Sequence, residues 1–105
     1  MIIRSKKITQ AAKDRSCVCC GAEDGTIVRA HYSGMRQSQY GKGRGIKGHD
    51  CVAADLCMSC HSKFDNYEMG EGDTRELRHI DQSEQFLHHC VMTLVRDIEA
   101  GIYKI

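Results

Sequence analysis

Two Cys-x-x-Cys pairs, Cys17-Val18-Cys19-Cys20 and Cys57-Met58-Ser59-Cys60, constrain this chain more than any other feature. Each spacing makes a knuckle whose two thiolates reach one tetrahedral Zn²⁺ at about 2.3 Å per bond. Gly21 follows the first pair directly, where the knuckle backbone must turn sharply. The pairs are separated by enough chain for a hairpin, so zinc bound by Cys17, Cys20, Cys57 and Cys60 would close its base. In 105 residues the apolar core is small, and such a brace supplies folding free energy that the core lacks.

The remaining cysteines do not change this reading. Seven is an odd count, and no export signal precedes them. A secreted disulfide scaffold favours an even count and a signal peptide, so metal binding is the better explanation. Cys19 is able to replace Cys17 or Cys20 in principle, but only 17 and 20 have the knuckle spacing. Cys51 and Cys90 read as buried apolar thiols. A thioredoxin-like use of either pair needs a βαβ context that the pattern lacks.

Hydrophobic periodicity places these motifs in an α+β fold. Ser5–Lys13 reads as a short N-terminal helix, Thr26–Tyr32 as a β-branched strand and Cys51–Leu56 as a second strand. Cys57–Tyr67 reads as a turn entering a helix. Residues 33–48 hold five glycines and read as a long flexible loop of the kind that carries function, able to stay disordered until a ligand binds. Two helices are expected over 73–81 and 81–100, with Asp81 and Glu84 forming the second cap and Gly101 the stop. Leu87, Cys90, Val91, Leu94, Val95 and Ile98 fall at helical spacing and are expected to form its buried face. Residues 1–105 thus make one domain, with a finger core at about 16–68 and C-terminal helices at about 73–100. The 86–98 face is long for so small a core, which suggests a homodimer.

No apolar run approaches the roughly 20 residues of a membrane span, and the N-terminus lacks a signal peptide's apolar stretch. A soluble, cytoplasmic protein is expected. Net charge is +1, yet residues 1–48 carry ten Lys/Arg against three acids, a net +7 that leaves −6 for the rest. A basic half suits phosphates. Arg36, Lys42, Arg44 and Lys47 in the glycine-rich loop are the expected DNA contacts, because glycine lets backbone approach phosphate and Arg or Lys neutralises it.

His61 and Asp65 stand four residues apart on the helix that follows the second knuckle. They therefore share one face, where an imidazole and a carboxylate can hold one divalent cation. His31 ends the first strand, across the hairpin. A neutral imidazole there is able to take a proton from water beside a cation that stabilises charge on a phosphodiester.

The series Cys17-x-x-Cys20-Gly21, Ala30-His31-Tyr32, a basic glycine-rich loop, Asp50, and Leu56-Cys57-x-x-Cys60-His61-x₃-Asp65 resembles the HNH, or ββα-metal, endonucleases. Within them it is most similar to small phage and prophage nuclease-domain proteins of the YbcO type. The likeness runs on to the Glu99-Ala100-Gly101-Ile102 ending. It implies a zinc-braced ββα-metal finger and a DNA endonuclease serving phage recombination or DNA processing in the host cytoplasm. By the same likeness His31 is the general base, and His61 and Asp65 hold a catalytic divalent cation (Mg²⁺, Mn²⁺, Ni²⁺ or Zn²⁺). Asp50 joins the catalytic residues, as a ligand of that cation or as the group that orients His31. Two positions depart from the family pattern. Ala30 stands where a metal-binding acid or histidine is common, and Val52 near the place of a middle asparagine. Either Asp50 supplies the missing ligand or His31 itself binds metal. Apart from nuclease activity, the residues also suit a non-catalytic zinc finger that binds DNA or protein, or a sensor built on Cys19, Cys51 and Cys90.

Overall fold

The computed structural model describes residues 2–103. Three helices and a two-stranded antiparallel sheet build an α+β fold. Helix α1 (Lys6–Gln10) starts where Ser5 adopts extended backbone and its Oγ accepts from the Ile8 amide at 3.3 Å. It is shorter than the sequence suggests, and Ile8 within it and Ala12 in the turn that follows are buried.

Strands β1 (Val28–His31) and β2 (Ala53–Leu56) pair in a register that sets Arg29 opposite Asp55 and His31 opposite Ala53. The outer edge of β2 is not left open. The Asp55 amide donates to Thr93 Oγ1 at 3.0 Å, and its carbonyl accepts from the Val18 amide at 2.8 Å. A helix side chain and the first knuckle therefore occupy the edge that would otherwise invite another strand.

The connection between the strands is more ordered than a flexible loop. Gln37–Tyr40 forms a 3₁₀ turn, and Gly41 follows it in the left-handed region at φ 86°. Gly43 and Ile46 bridge across a tight bend, and the His49 amide donates back to the Tyr40 carbonyl at 2.9 Å. Tyr40 packs edge-on against Tyr32, ring centroids 5.5 Å apart. The glycines serve the bends of a folded segment, which sequence composition alone reads as mobility.

Helix α2 (Met58–Asp65) begins inside the second knuckle, with Cys57 as its cap. The expected pair of C-terminal helices is one helix, α3 (Arg75–Glu99), capped by Thr74, whose Oγ1 accepts from Leu77 at 3.1 Å. Asp81 does not interrupt it. Its Oδ2 accepts from Gln85 Nε2 one turn along and from the Glu71 amide, so the carboxylate is satisfied without starting a new helix.

The largest departure concerns which side of α3 faces inward. Its buried residues are Gln82, Ser83, Phe86, Cys90, Thr93 and Asp97. Of the expected face, Cys90 is buried and Leu87 packs partly against the core, whereas Val91, Leu94, Val95 and Ile98 are exposed. Charge is the reason. Asp97 meets Arg29 in a two-bonded pair at 2.8 and 3.0 Å and Arg15 at 2.7 Å, while Asp55 meets Arg29 at 3.0 Å and Arg15 and Arg96 at 3.2 Å. Three guanidinium groups on two buried carboxylates tie α3 to the sheet and to the segment before the first knuckle. The apolar core sits beside this network, where Phe86 touches Tyr32 and Phe64 at 5.4 and 4.7 Å between ring centroids.

Candidate metal centre and active groove

Sγ atoms of Cys17, Cys20, Cys57 and Cys60 all lie within 4.8 Å of one another, and among the described residues all seven cysteines are free of disulfides. Cys20 and Cys57 approach to 3.7 Å. Four thiolates about 2.3 Å from one ion stand about 3.8 Å apart at the corners of a tetrahedron, so the cluster has the dimensions of a structural zinc site. Local backbone sets it up. The Gly21 amide donates to the Cys17 carbonyl, with Gly21 at φ 80°, and the Cys17 amide donates to the Ala22 carbonyl. In the second half the Cys60 amide donates to Cys57 Sγ at 3.4 Å and the His61 amide to the Cys57 carbonyl at 2.9 Å.

The electrostatics fit a cation. Burial works against ionisation of Cys17, but amide hydrogen bonds from Cys20, Cys57 and Cys19 outweigh it and bring the thiol down to about 7. Burial, joined by the neighbouring thiols of Cys57 and Cys20, pushes Cys60 up instead. One thiolate forms readily and then opposes the next, a conflict that a divalent ion removes. Cys19 stands outside the four, and burial raises its thiol above the ordinary value.

His61 projects from α2 one residue beyond the last of these cysteines, so the knuckle fixes its position. Its Nε2 lies 3.6 Å from Asp65 Oδ2, with side-chain exposures of 38% and 60%. That is too long for a hydrogen bond and close to the roughly 3.4 Å between two ligand atoms of a tetrahedral ion with bonds of about 2.1 Å. Among the described residues the four cysteines form the one group of three or more His, Cys, Asp or Glu donors close enough for a single ion. His61 and Asp65 thus offer two protein ligands, which suits a cation that takes its other ligands from water and phosphate.

An open groove runs between β1 and α2. His31, His61 and Asp65 line it together with Lys13, Lys42 and Lys47. Arg36 lies elsewhere, beside Tyr32 and Ile80 against α3, and Arg44 stands exposed on the turn between Gly43 and Gly45. Lys13 was not singled out in the sequence, although it belongs to the basic half; only the turn after α1 carries it to the groove.

Asp50 is buried behind His31, and the lining of the groove does not include it. Its Oδ1 lies 2.8 Å from His31 Nε2, and its Oδ2 accepts from the Ser5 amide at 2.7 Å. Arg4 reaches Oδ1 at 3.4 Å and also binds the carbonyls of Gly48 and Lys47. Burial raises the Asp50 carboxyl, but the hydrogen bonds from His31 and Ser5 and the charges of His31 and Arg4 outweigh it, so the carboxyl sits below its ordinary value. An ionised carboxylate has no proton to give, so His31 Nε2 is the donor in this hydrogen bond, which leaves Nδ1 as the acceptor whenever the ring is neutral. Ala30, next to it, is 1% exposed within the core and contributes no donor to the groove. Val52 likewise offers no polar side chain; its backbone carbonyl accepts from the Tyr32 amide at 3.0 Å.

No described helix is long and apolar enough to cross a membrane. No protein-family model, no curated protein and no solved structure matches this chain.

Proposed function

We propose that this chain is a divalent-cation-dependent DNA endonuclease of the ββα-metal type, braced by a structural zinc ion on Cys17, Cys20, Cys57 and Cys60. The observation that carries the reading is the meeting of His31, His61 and Asp65 in one groove with Lys13, Lys42 and Lys47. The lysines would lay a phosphate backbone along the groove without reading its sequence. His31 Nδ1 takes a proton from water, and the oxygen so freed bonds to phosphorus. The bond from phosphorus to the leaving sugar oxygen then breaks, and that oxygen takes a proton from solvent. Asp50 holds the imidazole in the tautomer that accepts at Nδ1 and stabilises it once it is charged. A divalent cation on His61 and Asp65 would supply the neutralisation of charge on the phosphate and on the leaving oxygen. Phage or prophage DNA processing in a host cytoplasm is the setting that the resemblance implies.

Supercoiled plasmid tests this directly. With Mg²⁺, Mn²⁺ or Ni²⁺ the protein should convert it to nicked circles. His31→Ala and His61→Ala should each abolish nicking while zinc content and helical circular dichroism stay those of the wild type. Binding without cleavage under all three metals would favour a non-catalytic zinc-finger module instead. The specific observation behind that second reading is Ala30, a buried methyl where the endonucleases commonly hold a metal ligand.

A further inference from the structure

Helix α3 turns its more apolar side outward. Leu77, Ile80, Glu84, Leu87, Val91, Leu94 and Ile98 follow one another in alternating steps of three and four, the spacing of a coiled-coil seam. Leu77, Ile80 and Val91 are 50–52% exposed, and Leu94, Val95 and Ile98 are 37–41% exposed. The inward side holds only Phe86 and Cys90 as apolar members beside Gln82, Ser83, Thr93 and Asp97. A surface helix normally shows the reverse order, and an apolar stripe over most of a 25-residue helix, interrupted at Glu84, marks a contact surface.

The chemistry of the stripe selects its occupant. Nucleic acid and anionic membranes are disfavoured, because α3 carries five acids against three arginines and Arg96 is engaged with Asp55 and Ser16. Two exposed polar residues, Glu84 and His88, stand one turn apart near its middle. Laid against a parallel copy, each Glu84 would meet another Glu84. Laid against an antiparallel copy, each Glu84 would meet a His88, whose imidazole N–H donates whether or not the ring is charged.

We propose that α3 pairs antiparallel with α3 of a second copy, about a twofold axis near Leu87, with each Glu84 set against His88 of the other copy. Such an interface is isologous, so one stripe serves both partners. The groove that holds His31 and His61 takes no lining residue from α3, so both grooves stay open in the dimer. The pairing does not depend on the nuclease reading.

Sedimentation velocity of the full chain, without DNA, tests it. Wild type should sediment as a dimer, and Leu87→Glu/Val91→Glu as a monomer with unchanged zinc content and helicity. Glu84→Lys and His88→Glu should each weaken association, by about threefold on the scale of exposed charge pairs. The double variant Glu84→Lys/His88→Glu should recover it, because lysine then faces glutamate; a parallel pair would set like charges together and recover nothing. A wild-type monomer at the highest attainable concentration, a dimer that survives the Leu87/Val91 substitutions, or a double variant no tighter than its parents would each overturn the proposal.

Discussion

Asp50 Oδ1 stands 2.8 Å from His31 Nε2 across 19 residues of chain, and the same carboxylate caps the start of α1 through the Ser5 amide. One buried acid therefore joins the N-terminal segment, the end of β1 and the segment before β2. Under the proposed function it is a positioning group, which would hold the imidazole from behind and leave the Nδ1 side for chemistry. Two substitutions separate the jobs. His31→Ala should lower plasmid nicking by about 10²–10⁴-fold, the usual range for a removed general base. Asp50→Asn should lower it by about 10²–10⁴-fold as well, because an amide nitrogen donating to Nε2 moves the ring proton to Nδ1. Both proteins should retain full zinc content. Nicking by Asp50→Asn at the wild-type rate would remove Asp50 from the mechanism.

Asp50 should also leave a mark on acid stability. Its folded carboxyl sits below the unfolded value, burial notwithstanding, because His31, Ser5 and Arg4 favour the charged form. A depressed carboxyl contributes stability that is complete above the unfolded value, near pH 4, and is lost as pH falls through the folded one. The difference in Tm between wild type and Asp50→Asn should therefore hold steady from neutrality to about pH 5 and shrink below about pH 4. Thermal melts across this range read it out. A difference independent of pH would mean that the contribution is packing, not charge.

The thiol cluster predicts one zinc per chain by elemental analysis. Structural zinc commonly contributes about 10–16 kcal/mol of binding free energy at pH 7, so a strong chelator should unfold the protein rather than merely inactivate it. Cys57→Ser should be as damaging as any single change, since that residue is both a member of the cluster and the cap of α2. Cys19→Ser should retain full stoichiometry. Loss of zinc from Cys19→Ser would show that the fifth thiol takes part.

Asp97 predicts a large stability effect far from the groove. It is 1% exposed and pairs with Arg15 and Arg29. Removing one partner from a buried ionic network leaves charge uncompensated, at a cost of about 3–5 kcal/mol. Asp97→Ala should lower the denaturation midpoint in urea accordingly. A change below about 1 kcal/mol, the scale of an exposed pair, would mean that water relieves the stranded guanidinium groups.

Several parts of this arrangement were legible in the chain. The knuckle spacings announced the four-thiol cluster, and the step from Cys60 to His61 to Asp65 put two candidate ligands on one turn of a helix. β-Branched residues marked the first strand and the short run Cys51–Leu56 suggested the second, though each strand is shorter than its run. The order within 33–48 was not legible. Its glycines signal freedom of the backbone, whereas the contacts that restrain it, from Arg4 to the Gly48 and Lys47 carbonyls and from Tyr40 to Tyr32, come from residues distant in sequence. The same holds for Asp50 and Lys13, whose placement depends on how α1 lies against the strands.

By itself the sequence determined what short-range geometry can determine: two knuckles, the starts of α1 and α2, and a helix with one strongly apolar side. Tertiary structure decided which side of that helix would be buried. Periodicity reports that apolar residues share a face, but the direction of the face depends on what the rest of the chain presents. Here Arg15 and Arg29 lie beneath α3 and require Asp97, so the polar side turns inward and the apolar one outward. Leaving those guanidinium groups buried without a counter-charge would cost more than leaving Val91 and Ile98 half in water.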